Sequence, residues 1–174
     1  MVKRLFLLRH AKSSWSDPDQ ADHERSLNGR GREACRLLAA HFAARNIRPR
    51  LVLCSAAART RETFDRLAHA LDWEPVVDYR EGLYLASAAN LLRAIQGSGA
   101  AESLMLVGHN PGLEDLAADL AGDGDPDARA NLHRKYPTGG LATFRADVSD
   151  WRQAAPGKLY LESFVTPAEL RTPA

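Results

Sequence analysis

Leu5-Phe6-Leu7-Leu8-Arg9-His10 is the stretch that decides the fold: four apolar side chains in a row, stopped by an arginine and a histidine. An apolar run of this length without polar alternation is expected of a strand covered on both faces. Leu51 to Leu53 and Leu104 to Val107 repeat the pattern further along the chain. Between these runs the period changes. Ala34, Leu37, Leu38 and Phe42 follow the spacing of one helical face, and so do Thr60, Phe64, Leu67, Ala68 and Leu71.

Asn110-Pro111 offers an N-cap followed by a proline at the first helical position, with Glu114 and Asp115 near the positive end and Gly122 as a stop. A helix from about Pro111 to Ala121 is expected there. A weaker helical stretch runs from Ser87 to Ile95, and Leu141 to Arg145 and Leu159 to Val165 read as two late strands. Strands alternating with helices imply an α/β sandwich with a mainly parallel sheet. Ser16 to Ser26 and Asp123-Gly124-Asp125-Pro126-Asp127 are polar and read as surface loops. A single domain over residues 1–166 is expected, followed by a frayed tail, 167–174, with prolines at Pro167 and Pro173.

The chain has 174 residues, enough for one core that buries about 70% of the unfolded surface. Its 23 Lys and Arg nearly balance 22 Asp and Glu, and they form no single basic run, so no nucleic-acid partner is expected. The apolar start ends at Arg9, too soon for an export signal, and no stretch is long enough to span a bilayer. Cys35 and Cys54 form neither a C-x-x-C nor a disulfide framework. A reducing cytoplasm is the expected setting, with no membrane partner.

Two motifs mislead. Gly29-Arg30-Gly31-Arg32-Glu33-Ala34 matches the dinucleotide pattern G-x-G-x-x-A, but it follows a polar segment where that motif needs a buried strand. Cys54 and Arg59 suggest a cysteine-phosphatase loop, yet only four residues separate them where five are needed. Cys54 reads as a small buried apolar residue.

What remains is a constellation at one sheet edge. Arg9-His10 ends the first strand, and Gly108-His109 ends the strand of Leu104 to Val107, so two histidines can face one pocket where α/β sheets open into a ligand crevice. The helix beginning at Asn110 would turn backbone N–H groups toward that edge, which favours phosphate and makes Asn110 a candidate binding residue. Ser55 reads as the cap of a helix whose first turns carry Arg59 and Arg61. Cations there oppose the helix dipole, which suggests a use other than stability, and Arg59 is the better placed of the two. Either histidine alone would more often be a hydrogen-bonded surface residue; the pair carries the argument.

Leu8-Arg9-His10, Leu53-Cys54-Ser55-Ala56-Ala57-Ala58-Arg59-Thr60 and Val107-Gly108-His109, in that order, resemble the histidine phosphatase superfamily, which includes phosphoglycerate mutases and phosphohistidine phosphatases. The short chain is similar to the SixA branch. The resemblance implies a three-layer α/β/α sandwich with a mixed, mainly parallel six-stranded sheet, the first and fourth strands adjacent. It implies His10 as the nucleophile, Arg9 and Arg59 as phosphate clamps, and His109 as a donor to the phosphoryl oxygens. Asn28 falls where the family starts its first helix and is expected to be structural. Ala11 stands where the family has glycine, so the turn must avoid positive φ or strain an alanine. By the same resemblance Glu81, in Tyr79-Arg80-Glu81-Gly82, is the candidate counterpart of the family's general acid, with a solvated loop carboxylate as the alternative.

The resemblance implies hydrolysis through phospho-His10, with fixed cations in place of a metal and no cofactor. Roughly 25 residues join Val77 to Leu104, too few for a lid plus a crossover helix, so an open site is expected. An open site suits a phosphorylated protein, above all phosphohistidine. A broad phosphomonoesterase acting on small phosphomonoesters is the alternative of the same class, and a phosphate-binding module without turnover is the alternative of another class. A monomer is expected. Mutase chemistry, which needs a closed pocket, fits least.

Overall fold

The computed structural model describes residues 2–172. Strand β1 (Val2–Arg9) runs parallel to β4 (Ser103–Gly108), with Arg9 opposite Gly108, and antiparallel to β6 (Leu141–Asp147). Across the sheet the order is β3 (Val76–Arg80), β2 (Leu51–Ser55), β4, β1, β6, β7 (Leu159–Val165) and β5 (Ala121–Gly124). Pairing is parallel except where β6 meets β1 and β7. The expected adjacency of the first and fourth strands is present.

Successive side chains of a strand point to opposite faces, and β1 uses both. Leu5 and Leu7 join one cluster with Leu91 and Ile95 of α3 (Ala88–Gln96), Leu113 and Leu116 of α4 (Gly112–Leu120) and Leu132 of α5 (Pro126–Arg134). Phe6 and Leu8 join the other, with Leu38 and Phe42 of α1 (Gly29–Arg45) and Phe64 and Leu67 of α2 (Ala58–Leu71). Both faces are dry, so the sequence shows an unbroken apolar run and three layers.

The first turn of α1 fixes the loop behind the site. Asn28 caps it, its side-chain oxygen accepting from the Gly31 amide at 2.8 Å. A Cβ at Gly31 would lie 2.1 Å from the Lys12 carbonyl oxygen, so the helix can approach the chain leaving β1 only without a side chain. The G-x-G pattern therefore serves packing.

The sheet has seven strands, not the six implied by the resemblance. The extra one, β5, arises within the segment read as a loop at Asp123-Gly124, and α5 begins at Pro126. No apolar pattern announces β5, because it is an edge strand held through its backbone: a Cβ at Gly122 would sit 1.9 Å from the Gly157 carbonyl oxygen. The start of the expected frayed tail is also ordered. Pro167–Arg171 form α6, capped by Thr166, with Pro167 buried and Leu170 packed on the α1–α2 cluster. Met1, Pro173 and Ala174 lie outside the described residues. Among the described residues no helix is long and apolar enough to cross a membrane.

Candidate active site

The β1–β4 register places the two histidines side by side. The His10 amide donates to the Gly108 carbonyl at 3.1 Å, and the His10 and His109 rings stand 5.3 Å apart. Nδ1 of His10 lies 2.7 Å from the Ala11 carbonyl oxygen, which can only accept, so Nδ1 carries the proton. Nε2 is then left with its lone pair, which accepts from Nε of Arg59 at 3.3 Å. Burial, against the Ala11 hydrogen bond and with help from Arg59, Arg9 and Arg25, pushes the His10 pKa down to about 3. The ring is neutral at physiological pH.

Ala11 meets the turn without strain, since it is not among the described residues at positive φ. Its amide donates to the Thr63 hydroxyl at 3.0 Å, and its methyl packs with Leu27, Ala34 and Cys35. A side chain larger than hydrogen is used here to seat the loop on α1.

Arg59 is buried at 2% exposure in the first turn of α2. The Thr60 hydroxyl donates to the Ser55 and Ala57 carbonyls, and the Thr63 hydroxyl to the Arg59 carbonyl, which fixes the turn. Arg9 reaches the Tyr136 carbonyl at 2.9 Å, while its buried Nε has no protein partner among the described residues. Burial lowers its pKa. Arg61 points elsewhere, to the Ala56 carbonyl and the face of Tyr79.

Ser55 is the last residue of β2, and Ala57 occupies the N-cap position expected for it. Its side chain serves His109 instead, 2.8 Å from Nε2. The Ala57 amide donates to Ser55 Oγ at 3.4 Å. With the hydroxyl as donor to Nε2, His109 would carry its own proton on Nδ1; that nitrogen is buried with no protein partner among the described residues. Burial, His10 and Arg59 push the His109 pKa down to about 3.

The main surprise is the segment read as a plain loop. It holds a 3-10 turn, Asp22–Glu24, and Asp22 grips Arg59: its carbonyl accepts from Nη1 at 2.7 Å and Oδ2 from Nη2 at 3.1 Å. The Tyr84 hydroxyl donates to the same Oδ2, and the Tyr84 ring stands edge-on to His109 at 5.4 Å. This strap lies against the Arg59 side of the site, and His10 itself is 6% exposed. Neither Asp22 nor Tyr84 carries a local sequence signal; each acquires its role from a distant partner.

Glu81 does not hydrogen-bond to the histidine pair. It is 74% exposed and lies 2.9 Å from His23 Nε2, whose Nδ1 faces Glu24 at 3.0 Å. Those carboxylates, Glu24 first, raise the His23 pKa. Asn110 is engaged inside the protein: its oxygen accepts from the Glu114 amide, and its nitrogen donates to the Tyr136 carbonyl also held by Arg9. The Asn110 oxygen thus caps α4 one position before the N-cap residue, Pro111. The amides of Leu113 and Asp115 are likewise taken, by the His109 and Pro111 carbonyls. Cys54 is buried beside Ser55, and burial pushes its thiol up to about 12, far from a reactive thiolate. No group of three or more His, Cys, Asp or Glu able to hold a metal occurs among the described residues. A groove of about 620 Å³ at the opposite end of β1, lined by Phe6, His41 and Arg45, contains none of the site residues.

Residues 5–83 match the model of the histidine phosphatase superfamily, branch 1. A Mycobacterium tuberculosis protein described only as uncharacterized is 35% identical over 163 residues, spanning 92% of this chain and 99% of its own. A crystal structure from Agrobacterium tumefaciens, provisionally assigned as the phosphohistidine phosphatase SixA, is 33% identical with a TM-score of 0.79, covering 95% of this chain and 98% of that one. A further solved structure, from Nakamurella multipartitia and given the same provisional assignment, is 26% identical with a TM-score of 0.82 and covers 96% of this chain and 97% of that one.

Proposed function

Since this chain belongs to the histidine phosphatase superfamily and to its SixA-type members, its activity is that of a phosphatase, and we propose that it hydrolyses protein phosphohistidine through a phospho-His10 intermediate. The observation that carries this reading is the fixed tautomer of His10. Ala11 holds Nδ1–H, so Nε2 presents its lone pair at the mouth of β1 without prior loss of a proton.

Nε2 attacks phosphorus in line, and the phosphorus–nitrogen bond of the substrate breaks. The electron pair leaves on the substrate imidazole, which departs already protonated on its other nitrogen or takes a proton from solvent. Arg9, Arg59 and His109 Nδ1–H hold the charge on the equatorial oxygens, fixed cations and a donor doing what a metal does elsewhere. Water then attacks phospho-His10, giving inorganic phosphate and restoring Nε2, with the water's proton passing to phosphate or solvent. Asn110 supports Arg9 from behind by sharing the Tyr136 carbonyl. Glu81, at the rim, is left for substrates whose leaving group needs a proton. Such an enzyme works as a monomer in the cytoplasm on phosphorylated proteins.

Rapid quenching with a phosphohistidine-bearing protein, followed by mass analysis, tests the proposal. One phosphoryl group should appear on the peptide carrying His10, acid-labile and absent from a folded His10→Ala variant, which should not turn over. Turnover with no labelled histidine would refute it. Faster hydrolysis of common phosphomonoesters than of phosphohistidine proteins would move the substrate to the small-molecule class.

A further inference from the structure

Asp22 is the only carboxylate hydrogen-bonded to Arg59 or to Arg25 among the described residues. Its Oδ1 accepts from Arg25 Nε at 3.0 Å, its Oδ2 and its carbonyl from the two terminal nitrogens of Arg59, and Oδ2 also from the Tyr84 hydroxyl. Both arginine side chains are nearly buried, Arg59 at 3% and Arg25 at 7% exposure. Three of the five N–H groups of Arg59 are thereby assigned, one to His10 and two to Asp22. The carboxylate sits one guanidinium away from the nucleophilic nitrogen.

The strap that delivers Asp22 is itself fastened. The Ser14 amide donates to the Ser26 carbonyl at 2.8 Å, Ser13 bridges to Leu27, and the Leu27 amide donates to Glu62 of α2 at 2.8 Å. Arg25 Nη1 binds the Ser13 hydroxyl and the Ser14 carbonyl, and its guanidinium lies 3.5 Å over the ring of Trp15. Asp22 is thus held on a braced segment and does not merely meet Arg59 as a mobile surface acid.

Two consequences follow from charge and geometry. A guanidinium tethered at both terminal nitrogens keeps Nε aimed at His10, whereas an untethered one can rotate away, and a misplaced charge-stabilising donor lowers the rate. Asp22 also places a negative charge beside the cations that receive a phosphoryl dianion. It must weaken the hold on inorganic phosphate, the product, which Arg9 and Arg59 would otherwise retain. Tyr84, Arg25 and Arg59 keep Asp22 charged, its pKa lowered to about 2.

We infer that Asp22 is a positioning residue that acts in two ways, orienting Arg59 for phosphoryl transfer and, by its charge, limiting retention of product phosphate. The inference rests on the phosphatase reading of the His10 site. It assigns a role to a strap that the chemistry of the histidine pair does not itself require.

The test compares Asp22→Asn and Asp22→Glu with the unaltered protein. Turnover of a phosphohistidine peptide and calorimetric binding of inorganic phosphate are measured, with thermal unfolding to establish that each variant is folded. Asp22→Asn should bind phosphate about tenfold more tightly while kcat falls about tenfold, a combination that loss of structure cannot produce. Asp22→Glu restores the charge but not the reach, so phosphate affinity should return to the original value while kcat stays low. Unchanged or weaker phosphate binding by folded Asp22→Asn, or an undiminished kcat, overturns the inference. If the unaltered protein neither binds phosphate nor turns over the peptide, the phosphatase reading fails first and the role of Asp22 falls with it.

Discussion

Nε of Arg59 faces Nε2 of His10 across 3.3 Å, so an arginine donates to the nitrogen proposed to attack phosphorus. In the resting site this contact holds the imidazole lone pair and keeps a proton off it. In the proposed reaction, a phosphoryl group arriving between them would exchange the contact for one to its own oxygens.

Arg59→Ala should therefore cost about 10²-fold or more in kcat, the scale of losing one preorganised donor. Arg59→Lys should recover little, because an ammonium cannot reach His10 and both Asp22 acceptors from one planar fork. Steady-state kinetics on folded variants decides it; a lysine variant near full activity would mean that charge alone suffices.

Stability should fall with acid well before the carboxylates explain it. His10 and His109 are held at about 3 in the folded protein, against about 6.5 in an unfolded chain. The unfolded chain then takes up protons first as pH falls, so stability increases with pH through this window. The contribution is complete above about pH 6.5 and is lost toward about pH 3, with a slope approaching about 1.4 kcal/mol per pH unit for each histidine. Asp22, held at about 2, keeps its charge throughout and loses its contribution only from about pH 4 downward. Urea unfolding between pH 7 and 4 should show the slope, and His109→Asn should remove about one proton from it. A flat profile from pH 7 to 5 would contradict the neutral pair.

Ser55→Ala removes the hydroxyl that faces His109 Nε2. His109 then has no reason to keep its proton on Nδ1, where the proposed mechanism needs it for the phosphoryl oxygens. The rate should fall by about tenfold to 10²-fold, and stability by about 1–3 kcal/mol for the buried nitrogen left unpaired. Nitrogen-15 shifts of the His109 ring report the tautomer directly. An unchanged spectrum with an unchanged kcat would remove Ser55 from the site.

Glu81→Gln separates substrate classes. An alkoxide leaving group needs a proton in the transition state, whereas the imidazole of phosphohistidine can leave already protonated. If Glu81 is the acid, hydrolysis of alkyl phosphomonoesters should drop by about 10²-fold while phosphohistidine turnover is spared. Equal losses on both substrates would assign Glu81 a binding or structural part through its contact with His23.

The sequence by itself determined the layers and the edge of the sheet at which the candidate site lies. Leu5 to Leu8 and Leu104 to Val107 could be unbroken only as strands covered on both faces, and a residue following such a strand must emerge at its mouth, as His10 and His109 do. Arg9, at the end of β1, and Arg59, in the first turn of α2, were legible from their places at that edge, and Asn28 because it caps its own helix. Tertiary structure alone decided what those groups touch. Asp22 reaches Arg59 over 37 positions and Ser55 reaches His109 over 54, contacts that no period or propensity encodes. It also decided that β5 is a strand, since an edge segment of Ala-Gly-Asp-Gly is fixed by backbone pairing to β7 and by space that only glycine leaves. Periodicity records which face of an element is dry, because burial acts on every second or every third to fourth residue. A single hydrogen bond between distant polar groups leaves no repeat, and so it could be found only where the folded chain brings them within about 3 Å of each other.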